Sequence, residues 1–272
     1  MQYRVEIMTK KASIFAFLFS CIIFSLLLAG CATSNKDPLA AYQRMTAKEI
    51  FDKGVVALKK HHYSDAAKDF DALNSLYPFG DYSERAQYYI IYAYYNDDQP
   101  AMALAAAGRY IQLYPRSDHV DYAYYMRGVI NMGRKYDWFQ RAFGADRASR
   151  DLTYLRQAFV DFSEVVRLFP KSQYTPQAHE YMLIIRNILA QHELEIVQFY
   201  YQRRAFLGAA NRANYLITYY PGAPQVIPAF YLLAKSYEAL GEDALAEKAR
   251  QVLIRSYPDS VEAKELKQEF SH

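Results

Sequence analysis

The chain has 272 residues, of which 52% are hydrophobic and 22% charged, and its formal net charge is +3. This length and apolar content are sufficient for one sizeable folded domain. Lys and Arg are interleaved with Asp and Glu along the whole chain. This pattern excludes the clustered basic face of a nucleic-acid-binding protein, so no nucleic-acid partner is expected. Ten glycines and ten prolines favour helices over turn-rich sheets or disorder.

Residues 1–30 predict a lipoprotein signal peptide that is absent from the mature protein. Two lysines precede an apolar run, and the run ends at Leu28-Ala29-Gly30-Cys31. A basic start, an apolar middle and small residues before the cut are typical of secretion signals. The last four residues resemble the bacterial lipobox, so Cys31 is the predicted lipidation site. A plain signal peptide or an uncleaved anchor is the alternative.

The mature chain is expected to begin with a lipidated linker, residues 31–45, followed by a folded domain at residues 46–272. Its acyl chains would hold it on the membrane almost permanently. Ala32 after the cysteine matches lipoproteins sent to the outer membrane, which predicts a periplasmic-face location. Cys21 leaves with the signal and Cys31 is acylated, so no thiol remains for disulfides, metal binding or catalysis.

One short pattern occurs five times in the folded domain. An alanine is followed seven residues later by a bulky apolar residue and twelve residues later by the proline of an aromatic–proline pair. The instances are Ala66-Leu73-Pro78, Ala103-Tyr110-Pro115, Ala158-Val165-Pro170, Ala209-Leu216-Pro221 and Ala246-Leu253-Pro258. Because proline cannot continue a helix, the pattern predicts a helix that is repeated and stacked on its neighbours.

The fold class expected from this repeat is all-α. The small and large positions match the tetratricopeptide pattern of helix pairs. We therefore predict a right-handed α-solenoid of five tetratricopeptide-like helix pairs, followed by a short capping helix near residues 260–270. The predicted pairs occupy about residues 46–80, 84–117, 120–172, 176–223 and 226–260.

Two of the pairs are enlarged. The third pair contains an insertion from Gly133 to Arg150, and a network of Arg127, Arg147, Arg150, Asp146 and Asp151 is expected to fix it. The only tryptophan, Trp138, lies in this insertion as either a contact for an accessory partner or a plug against the helices. The fourth pair begins with one long helix, from Pro176 to about Gln202.

Three further stretches make the sequence more specific than a generic helical repeat. They are Tyr77-Pro78-Phe79-Gly80 leading to Tyr92-Ala93-Tyr94-Tyr95, the segment Asp121–Gly128, and the segment from Arg150-Asp151 to Tyr174. Together with the lipobox and Asn211-Arg212, they resemble the BamD family, lipoprotein subunits of the β-barrel assembly machinery of Gram-negative bacteria. One departure is Arg203-Arg204, where the family usually has Arg-Gly.

The resemblance implies partners and two sites. Members of the family bind the barrel subunit BamA, join other subunits of the complex, and recognise unfolded outer-membrane β-barrel proteins. By matched position, Asn211 and Arg212 would contact BamA, and a solvated helix residue is the alternative for Arg212. The remaining functional hypothesis is a periplasmic scaffold lipoprotein that organises cell-envelope or cell-wall enzymes.

A substrate groove can be suggested from the repeat itself. Stacked helix pairs leave a concave groove, and tyrosines offer rigid amphipathic contacts there. The predicted groove residues are Tyr88, Tyr89, Tyr92, Tyr95, Tyr122 and Tyr125. The alternative for any one of them is packing between helices.

No catalytic constellation is present in the sequence. His179-Glu180 begins like a zinc-protease motif, but Leu183 stands in place of the second histidine. His192, Glu193 and Glu195 are expected to be exposed residues of the long helix. The chain has neither a glycine-rich phosphate loop nor a Gly-x-Ser-x-Gly motif. We therefore predict a binding protein that is not an enzyme and has no catalytic residue, metal or cofactor.

Overall fold

The computed structural model describes residues 38–133 and 152–269. Those residues divide between two units, Met1–Met45 and Thr46–His272, and every helix among the described residues belongs to the second. Within the described ranges all regular structure is α-helical. The helices are α1 Ala47–Lys59, α2 Tyr63–Leu76, α3 Asp81–Asn96, α4 Pro100–Leu113, α5 Val120–Gly133, α6 Thr153–Leu168, α7 Thr175–Gln202, α8 Phe206–Tyr219, α9 Val226–Ala239, α10 Asp243–Ser256 and α11 Val261–Glu269.

The five aromatic–proline pairs each end a helix in the same way. The aromatic residue caps the second helix of every pair with φ between −124° and −136°. Its backbone N–H donates to the carbonyl of the bulky residue four positions earlier, as Tyr77 does to Leu73. The following proline disfavours a helical conformation for the aromatic residue, which explains why the helix ends there.

The turn inside four of the pairs also has a constant geometry. His61, Asp98, Arg204 and Gly241 occupy the same turn position with φ between 56° and 75°. The residue after each donates its N–H to a carbonyl five positions earlier, as His62 does to Ala57. This is the Schellman arrangement, in which a left-handed residue closes the end of a helix. Only one of the four turns has the glycine that the arrangement favours.

Consecutive helices pack against each other along the whole series, from α1–α2 to α10–α11. First helices of neighbouring pairs also touch, α1 with α3, α3 with α5 and α7 with α9, and α9 touches the capping helix α11; α5 and α7 make no comparable contact. Among the described helices, the second helices make no comparable contact with one another. The first helices therefore form the inner layer, which is the concave side of a helical repeat stack. The predicted all-α solenoid of five helix pairs is confirmed.

The two helices of the first and third pairs are locked by a glycine and a phenylalanine. A Cβ atom on Gly54 would lie 2.7 Å from the Phe70 ring, and one on Gly128 would lie 2.6 Å from Phe162. In the second and fourth pairs the sizes are reversed at the equivalent positions, which are Ile91 with Ala107 and Val197 with Ala213. All four of these side chains are fully buried. The combined side-chain volume at this contact is thus similar in the four pairs. The larger residue lies on the second helix in the first and third pairs and on the first helix in the second and fourth pairs.

The fourth pair has the expected long helix, and in the third pair the two helices are far apart along the sequence. α7 runs for 28 residues, and Pro176 stands in its first turn, a position that tolerates proline. α5 ends at Gly133 and α6 begins at Thr153. α11 packs on α9 and α10 through Ala263 and Leu266, and it caps the stack as predicted. None of the described helices has the length and apolar character needed to cross a membrane.

Candidate protein-binding surfaces

The six tyrosines predicted for a groove all lie on α3 and α5, two helices of the inner layer. Tyr92 and Tyr95 are exposed, at 42% and 38%. Tyr88 and Tyr125 are half-buried, and Tyr122 is buried. Residues 92 and 95 are therefore the ones that can meet a partner without any rearrangement.

Tyr92 packs edge-on against Tyr63 of α2, with 6.0 Å between the ring centroids. Further aromatic rings of α3, of α5 and of the start of α7 form a continuous chain. The Tyr88 and Tyr122 ring centroids are 4.6 Å apart, and Tyr122 lies 5.7 Å from Tyr174. Tyr125 stacks on Tyr174 at 4.8 Å and reaches Tyr181 of α7 at 6.4 Å. We call this set, together with Tyr92 and Tyr95, the tyrosine surface. Tyr174 and Tyr181 were missed in the sequence, although both recur at helical spacing near the start of α7.

Tyr89 joins this chain to a second aromatic cluster, because its ring meets the Tyr88 ring edge-on at 5.3 Å. Its ring stacks on Phe70 at 5.9 Å and contacts Phe51 at 5.8 Å. The guanidinium of Arg85 covers the other part of this cluster, 4.4 Å from the Phe51 ring centroid. Tyr89 thus packs the first pair against the second, while its neighbour joins the tyrosine surface.

The hydroxyl groups of Tyr88, Tyr122 and Tyr125 in the tyrosine surface stay neutral. Burial raises the pKa of Tyr125 to about 12, and burial likewise raises the pKa of Tyr88 and Tyr122 above the usual tyrosine range. A neutral hydroxyl both donates and accepts hydrogen bonds. The surface can therefore pack against an aromatic or aliphatic side chain and form a hydrogen bond with a backbone amide of the same partner. The partner needs no charged group for this contact.

Arg212 belongs to a second location, on α8. Its Nε atom lies 2.6 Å from Oε2 of Glu193, an ion pair whose N–H direction is not aligned for a hydrogen bond. The Glu193 side chain is 1% exposed and that of Arg212 is 37% exposed. The guanidinium also lies over the Tyr215 ring at 5.2 Å. Arg212 therefore neutralises a buried carboxylate and still reaches the surface, beside the exposed Asn211.

Glu193 corrects the sequence interpretation, which expected an exposed residue of the long helix. It is buried because α8 packs on that face of α7. Arg156 of α6 approaches its other oxygen at 3.8 Å and donates a hydrogen bond to the Tyr220 hydroxyl at 3.1 Å. One carboxylate of α7 thus connects α6 with α8.

At the equivalent repeat position, an ion pair also connects the two helices in the first and in the third helix pair. Asp69, Asp161 and Arg212 each stand three residues after the repeat alanine. Lys53 binds Asp69 across the first pair at 2.5 Å, and Arg127 binds Asp161 across the third. Arg127 was expected to pair inside the insertion, but its partner lies on α6. The other four residues of that expected network lie outside the described residues.

Comparison with known proteins places this architecture in a family. Residues 43–253 match the family model YfiO, which is described as an outer membrane lipoprotein. The chain belongs to this family. The match covers all five helix pairs up to the C-terminal part of α10, so it includes the tyrosine surface and Arg212.

Several curated relatives share the YfiO-family region. An outer membrane protein assembly factor BamD from Xylella fastidiosa strain Temecula1 is 34% identical and aligns with 86% of this chain and 79% of its own. The BamD protein of Haemophilus influenzae is 32% identical, with 84% and 85% covered. That of Neisseria meningitidis serogroup A is 30% identical, with 88% and 90% covered. The likeness thus extends over most of the length of these relatives.

Two predicted residues cannot be placed on this architecture. Cys31 and Trp138 both lie outside the described residues. Lipidation of Cys31 and the accessory contact of Trp138 stay predictions from the sequence. In the part of the chain that the structure describes, no group of His, Cys, Asp and Glu side chains is arranged to hold a metal ion.

Proposed function

We propose that this protein is a non-enzymatic assembly factor for outer-membrane β-barrel proteins, anchored by lipid at Cys31 on the periplasmic face of the outer membrane. The support is family membership together with relatives named as outer membrane protein assembly factors. The observation that carries the substrate part of the proposal is the tyrosine surface, an aromatic patch on the inner helices α3 and α5 whose exposed members are Tyr92 and Tyr95 of α3.

The tyrosine surface suits an unfolded β-barrel segment. Such a segment is extended, and its lipid-facing positions carry apolar and aromatic side chains. Tyr92 and Tyr95 can stack on these side chains, and aromatic pairs contribute about 0.5–1.5 kcal/mol beyond the area they bury. The supporting rings of Tyr88, Tyr122 and Tyr125 hold the platform rigid, which limits the entropy lost on binding.

Asn211 and Arg212 are the proposed contacts for BamA, the partner that the sequence resemblance implies. Asn211 is exposed, and Arg212 has about a third of its side chain in solvent. A planar guanidinium can form an ion pair with one carboxylate at its Nε edge and donate its remaining N–H groups to another acceptor. Arg212 can therefore bind a partner without abandoning Glu193.

Site-specific photocrosslinking tests the substrate surface. A photoreactive phenylalanine analogue replaces Tyr92 or Tyr95 in cells that synthesise β-barrel proteins. Tyr154 of α6 is the matched control, since it is also a tyrosine and is 44% exposed, but it lies on a second helix. We expect crosslinks to unfolded β-barrel proteins from positions 92 and 95. Equal crosslinking from position 154, or crosslinking from that position alone, would refute the assignment.

A further inference from the structure

The aromatic–proline turns leave a row of large apolar side chains in solvent. Leu113 and Leu168 are the last residues of α4 and α6, directly before the aromatic residue, and they are 57% and 41% exposed. Phe79 follows the first aromatic–proline pair and is 89% exposed. A large part of each of these side chains is thus left outside the packing between helices.

These three side chains lie along one edge of the stack. Helices joined by short turns are antiparallel, so second helices end at the edge where first helices begin. Neighbouring turns on this edge are tied together: the Tyr110 hydroxyl lies 3.3 Å from Glu84 Oε1 and 2.7 Å from Ser117 Oγ. Further along, Ser172 Oγ donates to Asp121 Oδ2 at 2.5 Å. We call Phe79, Leu113 and Leu168 with these turns the proline edge.

The row stops after the third pair. Tyr219 ends α8 at the equivalent position, but the turn that follows it contacts the middle of α7. Arg186 Nη2 donates to the Gly222 carbonyl at 3.2 Å, and Arg186 is the twelfth of the 28 residues of α7. At 1.5 Å per residue, this point is about 16 Å from the start of that helix. Tyr219 is therefore set back from the proline edge.

The polypeptide enters the helical stack at the proline edge. α1 is a first helix, so its start at Ala47 lies on the same edge as the starts of α3 and α5. The predicted lipidation site, Cys31, precedes Ala47 by 16 residues. Even fully extended, such a linker reaches only about 55 Å. The edge that carries the exposed apolar row is thus the one nearest in sequence to the anchor.

Charge on the proline edge permits contact with a phospholipid surface. Arg116, Arg167 and Lys171 are exposed on its turns, against exposed Asp81 and Asp118 and the less exposed Glu84 and Asp121. Glu84 and Asp121 accept the hydrogen bonds between the turns, so the charges are nearly balanced and produce no strong repulsion from anionic headgroups. Aromatic and leucine side chains beside arginine and lysine are the composition that inserts at the boundary between headgroups and acyl chains.

We propose that the proline edge lies on the phospholipid surface of the membrane that holds the anchor, with Phe79, Leu113 and Leu168 at the headgroup boundary. This inference rests on the lipid anchor of the proposed function. Three side chains bind a bilayer weakly, but a tether converts their contact into an intramolecular event with a high effective concentration. The contact fixes the orientation of the tyrosine surface relative to the bilayer.

Membrane proximity of the two edges provides the test. Leu113→Cys or Leu168→Cys carries an environment-sensitive fluorophore in the full protein, reconstituted with its own lipid into phosphatidylethanolamine–phosphatidylglycerol vesicles that contain a headgroup-attached quencher. Leu207→Cys and Leu240→Cys are the matched controls, since both are exposed leucines at the opposite edge, where first helices end. A mass spectrum verifies that Cys31 is acylated and that the label is at the introduced thiol.

We expect several-fold stronger quenching at positions 113 and 168 than at 207 and 240. Replacing Phe79 and the unlabelled leucine of the row by serine should abolish that difference. Equal quenching at both edges would overturn the proposal and leave the row to a protein partner or a second copy of the chain. If the mass spectrum shows no acyl chains, the lipid anchor of the proposed function is wrong. The same quenching measurement on a Cys31→Ser protein, tethered by an N-terminal histidine tag to nickel-chelating lipid, then tests the membrane contact of the proline edge separately.

Discussion

Arg212 carries two roles that a single substitution cannot separate. It is a proposed contact for BamA, and it also neutralises the buried Glu193. Removing one partner of a buried ion pair costs up to about 3–5 kcal/mol, because the other charge stays buried without compensation. The cost is reduced here because Arg212 is 37% exposed and Arg156 approaches the second carboxylate oxygen. A loss of partner binding in Arg212→Ala would therefore have two explanations.

A double variant resolves this ambiguity. Arg212→Ala should lower the free energy of unfolding by about 2 kcal/mol, which is below the cost for a fully buried pair because Arg212 is partly exposed. Glu193→Gln removes the charge that Arg212 neutralises, so the double variant should regain most of that loss. Urea unfolding measures both, and BamA binding is measured on the double variant. Binding that returns with stability would remove Arg212 from the interface; binding that stays weak would support the contact.

At the scale of helix pairs, the glycine–phenylalanine lock makes a quantitative prediction. A Cβ on Gly128 would lie 2.6 Å from Phe162 Cε1, so Gly128→Val should destabilise the protein. Phe162→Ala alone should cost about 3–5 kcal/mol, since it empties a fully buried site. Together they recreate the Val–Ala combination of the fourth pair, and we expect a favourable coupling of about 1–3 kcal/mol in a double-mutant cycle.

Gly108→Ala is the control for this cycle. A Cβ at Gly108 meets nothing within 4 Å, and the residue is inside α4. The substitution should stabilise the protein by about 0.5–1 kcal/mol, the usual difference between alanine and glycine in a helix. Additive behaviour of Gly128→Val and Phe162→Ala, with a normal response at Gly108, would show that the lock does not couple the two helices.

The helix boundaries could be predicted because their causes are local. A proline twelve residues after the repeat alanine ends the helix wherever it occurs, and this is visible in the sequence alone. The burial of Glu193 could not be predicted in the same way, because it depends on which face of α7 receives α8. The same holds for Arg127 and Asp161, which are 34 residues apart and meet only when α5 and α6 pack.

The tyrosine surface likewise has features that could be predicted from the sequence and features that could not. Helical repeats predicted an inner surface with tyrosines on α3 and α5, and all six lie on those helices. The sequence could not separate Tyr89, which packs on Phe70, from Tyr92, which is exposed one turn later. It also missed Tyr174, because this residue is outside the repeat pattern and joins the surface through the turn before α7.

At the scale of the whole stack, α7 shares one hydrophobic core with the helices that precede and follow it, α6 and α8 to α10. One hydrophobic core runs from Leu152 before α6 to Ala249 in α10, and Ile185 lies fully buried within it on α7. A separate, smaller core of Leu253, Ala263 and Leu266 closes the C-terminal end. In a stack of repeats, the free energy of unfolding is approximately a sum of terms for the units and for the interfaces between them. The position of a destabilising substitution therefore determines how many neighbouring helices it destabilises.

Hydrogen exchange should show this difference directly. Ile185→Ala and Leu266→Ala each remove a fully buried aliphatic side chain, and each should cost about 2–5 kcal/mol locally. Loss of protection in Leu266→Ala should stay within α9 to α11, because its core is separate. In Ile185→Ala the loss should extend through α6, α7 and α8, since all three share the central core. The same extent of exchange in both variants would mean that the stack opens as one cooperative unit, contrary to the division between the two cores.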